Sequence, residues 1–198
     1  MKFFKTLLLL PVLVAGFAAP SMAQDVNIAV FNEERVLRES AVGQHIATRM
    51  QAIGQEIQAE MQAMNAPIQQ ETDRLNAEVS SMTPQAVQER PDLMQRIQTL
   101  SQQTQQLEVE RRVRQQEVAA TQRQAMAPVY QILQPILEEV VEQRGIDILV
   151  DRSNLVFASE RVDITDSVIE ILNQRLPSVT VTRVRVPRGD EAAAAQQQ

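Results

Sequence analysis

One histidine, His45, and no cysteine are the whole supply of imidazole and thiol in this 198-residue chain. A nucleophile triad lacks its base and a zinc site lacks its ligands, so neither chemistry has its parts. The five glycines are scattered and build no phosphate loop, which removes the usual seat for ATP. Asp147, Asp151, Asp163 and Asp166 fall close enough in sequence to suggest a hard-metal site. Turn and helix-cap roles account for them more simply, because an Asp carboxylate readily accepts local backbone N–H groups. The composition therefore points away from an enzyme and predicts neither cofactor nor metal.

What remains are residues suited to contact. Met50, Met61, Met64, Met82, Met94 and Met126 are spread over the middle of the chain. Flexible thioethers suit surfaces that take many partners, although at helical seam positions they also pack one helix on another. Met61, Met64, Met82 and Met94 are the candidate client-binding residues. The one dense basic group is Arg111, Arg112 and Arg114. Glu108, Glu110 and Glu117 stand at helical spacing from it, which predicts a solvated and internally paired helix face.

These residues sit on two long helices between Ala41 and Arg144. Apolar residues of the first recur at Ile46, Met50, Ile53, Ile57, Met61, Met64, Ile68, Leu75, Val79 and Met82, in steps of three or four with one longer gap at Thr72. After a break rich in Ser, Thr and Pro, a second seam runs through Leu93, Ile97, Leu100, Thr104, Leu107, Val118, Ala125, Val129, Ile132, Ile136 and Val140. Two narrow seams joined by a short break predict an antiparallel helical hairpin, a coiled-coil arm with its tip near residues 80–92. At ~1.5 Å per residue, about 40 residues reach roughly 60 Å, so the shape is extended. Pro67, Pro128 and Pro135 each remove a backbone hydrogen bond within the helices, which predicts a bend that is either fixed or a hinge.

The N-terminus reads as a cleaved secretory signal peptide, residues 1–23. Lys2 and Lys5 precede an apolar stretch from Leu7 to Phe17, and Ser21-Met22-Ala23 supplies small residues for cleavage. Those are also the chain's only lysines, so the mature part is still more acidic than the net −6 of the whole. Such a balance argues against a nucleic-acid or anionic-membrane binder. Phe31, Tyr130 and Phe157 are the only aromatics after the leader, and without disulfides a core this small needs partners.

The core is sought at the two ends of the mature chain. Val26, Ile28 and Val30 alternate with Asn27 and Ala29 as in a half-buried strand, and Asn32 followed by Glu33 and Glu34 marks a helix start. Gly145 stops the long helix. Ile146 to Val150 and Leu155 to Ala158 flank the turn formers Asp151-Arg152-Ser153-Asn154, which predicts a strand hairpin. Thr165 is expected to cap a short helix carrying Val168, Ile169, Ile171, Leu172 and Leu176. Three short strands leave edges open, and pairing them between subunits would satisfy both hydrogen bonds and core. Val26, Ile28, Val30, Ile146, Ile148, Val150, Leu155 and Phe157 are thus the candidate oligomerisation residues. Beyond them, Val179, Val181 and Val184-Arg185-Val186 alternate like an extra edge strand, and 187–198 is a low-complexity, disordered tail.

Ile28-Ala29-Val30-Phe31-Asn32, Gly145-Ile146-Asp147-Ile148-Leu149-Val150-Asp151 and Asp163-Ile164-Thr165, in this order around a helical hairpin, make the chain resemble the Skp/OmpH family of periplasmic chaperones. The resemblance implies an α+β fold: a β-rich trimerisation body, 24–44 and 145–186, and an arm, 45–144. It further implies a homotrimer shaped like a jellyfish, with a shared barrel and three arms around a cavity. Unfolded outer-membrane proteins would be held there without ATP until they reach the membrane assembly machinery. Family arms are often basic and attract lipopolysaccharide, whereas the first arm helix here sets Glu56, Glu60, Glu71, Asp73 and Glu78 against Arg49 and Arg74. No lipopolysaccharide or membrane-surface contact is carried over. The alternative from another class is a structural coiled-coil spacer or adaptor of the cell envelope.

Overall fold

The computed structural model describes residues 26–187, so the expected signal peptide and the expected tail beyond Pro187 lie outside the described residues. Seven elements follow one another: β1 (Ile28–Phe31), α1 (Glu33–Glu39), α2 (Ala41–Val79), α3 (Pro84–Gln88), α4 (Pro91–Arg144), β2 (Ile148–Asp151) and α5 (Thr165–Arg175). Helices α2 and α4 form the antiparallel hairpin, with α3 at its tip. At ~1.5 Å per residue the 39 residues of α2 and the 54 of α4 reach about 60 and 80 Å. Each runs on through its prolines as one element.

The helix boundaries follow from local chemistry. Asn32 caps α1 by accepting from the Arg35 N–H at 2.9 Å. Ser40, fully buried between α1 and α2, caps α2 by accepting from Gly43 N–H at 3.2 Å. Gly145 closes α4 in the left-handed region at φ 59°, where a side chain would be strained. The Asn27 amide donates to the carbonyls of Arg144 and Gly145 at 3.1 and 3.0 Å, satisfying acceptors that the end of α4 leaves open.

Three local expectations are corrected. Leu155–Ala158 is not a strand: β2 pairs in parallel with β1, Ile28 opposite Ile148 and Val30 opposite Val150. The Asp151 carboxylate instead accepts from Ser153 N–H at 2.7 Å and winds Arg152–Asn154 into a single 3-10 turn. A parallel pair needs a long crossover, and the whole arm is that crossover. Thr165 does not cap α5. The N-cap is Ile164, which offers no side-chain acceptor; the Asp163 carboxylate before it accepts from Thr165 N–H at 2.8 Å, while the buried Thr165 hydroxyl accepts from Asn32 N–H at 2.9 Å. The Val179–Val186 stretch joins no sheet; it is extended and lies on the arm.

The core sits at the root of the arm, where α1, the start of α2, the end of α4 and α5 meet. Val36, Val42, Val129, Ile136, Val168 and Leu172 are fully buried there. Outward from this root the hairpin is held by a seam only one or two residues wide.

Candidate functional site

The seam of α4 is where the structure departs most from the apolar pattern. Its buried residues after Leu107 are Glu110, Arg114, Glu117, Thr121 and Ala125, in helical steps of three and four. Four positions that face the partner helix are thus polar or charged. Thr104, expected in the seam, is exposed, and Ile97 is 38% exposed.

Arg114 was expected on a solvated face with Arg111 and Arg112. The latter two are exposed, and Arg111 pairs with Glu108 at 3.5 Å. Arg114 is buried, and its guanidinium meets Glu117 at 3.0 Å, Glu110 at 3.2 Å and Glu60 of α2 at 3.2 Å. The second cation comes from the C-terminal segment. Arg183 sets a fork on Glu60, Nη1 to Oε1 at 2.7 Å and Nη2 to Oε2 at 2.9 Å, and donates to Glu117 Oε2 from Nη2 at 2.7 Å and Nε at 3.0 Å. Arg185 adds a looser contact to Glu60 at 3.9 Å. Arg183's hydrogen bonds, then its charge and that of Arg114, hold the Glu60 carboxyl below its ordinary value. Burial pushes Glu117 up, but the hydrogen bonds from Arg183 and the two guanidinium charges outweigh it, and the net direction is down. Charged groups at seam positions fix which residues of the two helices stand opposite each other, at the expense of apolar burial.

The candidate contact residues fall into groups. Met61 and Met64 are half-buried on α2, and Met61 lines an open cleft of about 360 Å³ between the arm helices together with Ile57 and Val118. Met82 is half-buried at the tip, and Met94 is 46% exposed beside Ile97. In the body, Val30 and Ile146 are buried within their own chain, while Val150 and Leu155 are half-buried. Val26, Ile28, Ile148 and Phe157 stand 59, 46, 47 and 80% exposed, and Val156, a residue sequence reasoning passed over, is wholly exposed. Ile28 and Ile148 are register partners, so the two strands present an apolar pair to solvent.

The four aspartates have local or structural partners. Asp151 makes the turn and Asp163 the contact to Thr165 N–H just described, Asp166 pairs with Arg35, and Asp147 accepts from Asn27 N–H at 2.8 Å. Hydrogen bonds from Ser153 hold the Asp151 carboxyl below its ordinary value. Among the described residues no group of three or more His, Cys, Asp or Glu is placed to hold a metal ion, and no helix is long and apolar enough to cross a membrane.

A family profile described as Outer membrane protein (OmpH-like) matches residues 27–172, and the chain belongs to that family. Among solved structures it is similar to a candidate outer membrane chaperone (OmpH-like) from Caulobacter crescentus, at 27% identity and a TM-score of 0.67. The likeness covers 81% of this chain and 92% of that one. No curated protein matches significantly. The family and this neighbour support a chaperone role connected with outer membrane proteins.

Proposed function

We propose that the chain is an ATP-independent holdase of the periplasm, exported with a cleaved leader, that assembles as a homotrimer and shields unfolded outer-membrane proteins between its arms. The observation that carries the reading is the division of the molecule. A small root carries exposed apolar residues on its strands, at Ile28, Ile148, Val156 and Phe157. A second copy would cover them, since a patch of large apolar side chains on a small body is a contact surface waiting for a partner. The arms then project from a common body and offer many weak sites, Met61, Met64, Met82 and Met94 among them, to one client at high effective concentration. Release needs no nucleotide, because each contact is weak and reversible.

The test is the aggregation of a urea-unfolded β-barrel protein on dilution, followed by light scattering with and without the mature chain. Suppression at a stoichiometry of one client to three chains is the expected result. Unchanged scattering would reject the holdase and favour the envelope spacer. A chain lacking Ala47 to Gln124, joined by a short linker, should lose the protection.

A further inference from the structure

Residues 179–186 lie on the arm as an extended peptide, beyond the last residue of the family match. Their side chains alternate in two runs. Val179, Val181 and the Arg183 guanidinium turn to the arm with Thr180 and Thr182 exposed, and after one shift of phase Val184 and Val186 are half-buried with Arg185 exposed between them. Period two is that of a strand, but helix side chains take the place of a neighbouring strand. The Val184 N–H donates to Thr121 Oγ1 at 2.9 Å and the Val186 N–H to Glu117 Oε1 at 3.4 Å. Thr121 and Glu117 are four residues apart on α4, a rise of about 6 Å, and alternate residues of a strand are about 6.7 Å apart. One turn of helix therefore matches one strand repeat, and α4 reads alternate N–H groups of a chain running opposite to it. Backbone groups are common to every polypeptide, so this mode of capture tolerates many sequences.

The geometry points to the α2–α4 groove at Glu60, Glu117 and Thr121 as a binding site for extended polypeptide segments that alternate apolar and polar residues and carry an arginine, a site the chain's own residues 179–186 occupy and guard. The segment Val-Thr-Val-Thr-Arg-Val-Arg-Val alternates apolar and polar residues on either side of the Thr182-Arg183 step, the alternation of a barrel strand with one shift of phase. The inference rests on the holdase reading for the origin of the incoming chain, an unfolded barrel protein. Charge makes the site selective. With its own segment lifted away, Glu60, Glu110 and Glu117 face Arg114 alone, and an arriving arginine restores the second cation. Because the resident segment is tethered, it acts at high effective concentration and excludes weak binders.

The probe is a fluorescein-labelled peptide of residues 178–187, titrated by anisotropy against the mature chain and against a variant ending at Leu176. The truncated chain should bind it at least about tenfold more tightly than the intact one, and a probe carrying Arg183→Glu should bind at least about tenfold more weakly, as expected for losing charge-assisted hydrogen bonds. An unlabelled peptide copied from a barrel strand with one arginine should displace it. Absence of binding to the truncated chain with its helix content intact overturns the inference, as does a bound probe that the barrel peptide fails to displace. Should truncation reduce the helix content, full-length Arg183→Gln replaces it, and equal affinity for variant and parent overturns the inference. Protection of a barrel protein by a chain that does not bind the probe removes the groove and leaves the holdase. Displaceable binding without protection upholds the groove and removes the holdase.

Discussion

Gly43 and Gly54 lie on the same helix, three turns apart, and replacing each with alanine should change stability in opposite directions. A Cβ at Gly43 would stand 1.6 Å from the Leu37 carbonyl oxygen and 2.7 Å from its carbon, both backbone atoms of α1. Restoring ordinary contact requires α1 and α2 to part by about 2 Å. Val36 and Val42, fully buried at that junction, would be partly uncovered. Half the burial of two valines is about 2 kcal/mol, and loosening the Ser40 cap costs about 1 more. Alanine's better helix propensity returns about 1, leaving a net loss of about 2 kcal/mol. At Gly54 nothing lies within 4 Å, so only the gain of up to about 1 kcal/mol applies. With a urea slope of about 2 kcal/mol per M, the midpoint should fall by about 1 M for Gly43→Ala and rise by up to about 0.5 M for Gly54→Ala. Circular dichroism at one fixed chain concentration reads both, because the proposed self-association would make the midpoint concentration-dependent. A Gly43→Ala midpoint at or above the parent's would refute the close approach of α1 to α2 as a constraint. A lowered midpoint for Gly54→Ala would mean that another chain covers that face of the arm.

Other perturbations separate the parts of the molecule. Ile148→Asp should give monomers in native mass spectrometry with unchanged helix content, because the residue is 47% exposed in the single chain and its burial would arise from assembly; an unchanged oligomer mass removes this strand face from the interface. The docked C-terminal segment should come loose in acid. Glu60 and Glu117 have carboxyls lowered from 4.5, so their contribution is complete above that value and disappears as pH falls through the lowered ones; Arg114, Arg183, Arg185 and Glu110 are the other ionisable groups at the site. A spin label at Thr182 should be immobile at about pH 7 and mobile at about pH 3, and equal mobility at both would show that the carboxylates do not hold the segment. Capture of an acidic client should be nearly independent of sodium chloride, since charge is screened over about 10 Å at ~0.1 M while apolar contact survives; a steep loss of affinity would instead make Arg111 and Arg112 a basic patch.

The hairpin was legible because helix packing repeats every three to four residues and leaves its record in Ile46, Ile53, Leu75, Leu93, Leu107 and Val129, all buried. The same record breaks where Glu110, Arg114, Glu117 and Thr121 continue the seam, since an apolar pattern search skips charged residues that are buried only because partners from three parts of the chain converge on them. The extended state of Val179–Val186 was also legible, but not its partner: alternation reports a strand-like backbone and says nothing of what lies beside it. Turn formers at Asp151–Asn154 suggested a hairpin, and a turn does follow. The strand that pairs with β2, however, is β1 from the other end of the mature chain, and local sequence carries no trace of a pairing so distant.

That distance sets the order in which the molecule can come into being. Asn27 and Asp147, which exchange hydrogen bonds beside the strand pair, are 120 residues apart. A chain that emerges N-terminus first presents β1 well before β2, because the whole arm lies between them. The arm can zip meanwhile, since helices form within about a microsecond from neighbouring residues, and its closing brings the two strand-forming ends together without a further search. The root is therefore the last part to form, and a chain interrupted between Arg144 and Asp151 has an arm but no complete strand pair. Unfinished chains lack, by topology alone, the strand pair on which the proposed assembly would rest.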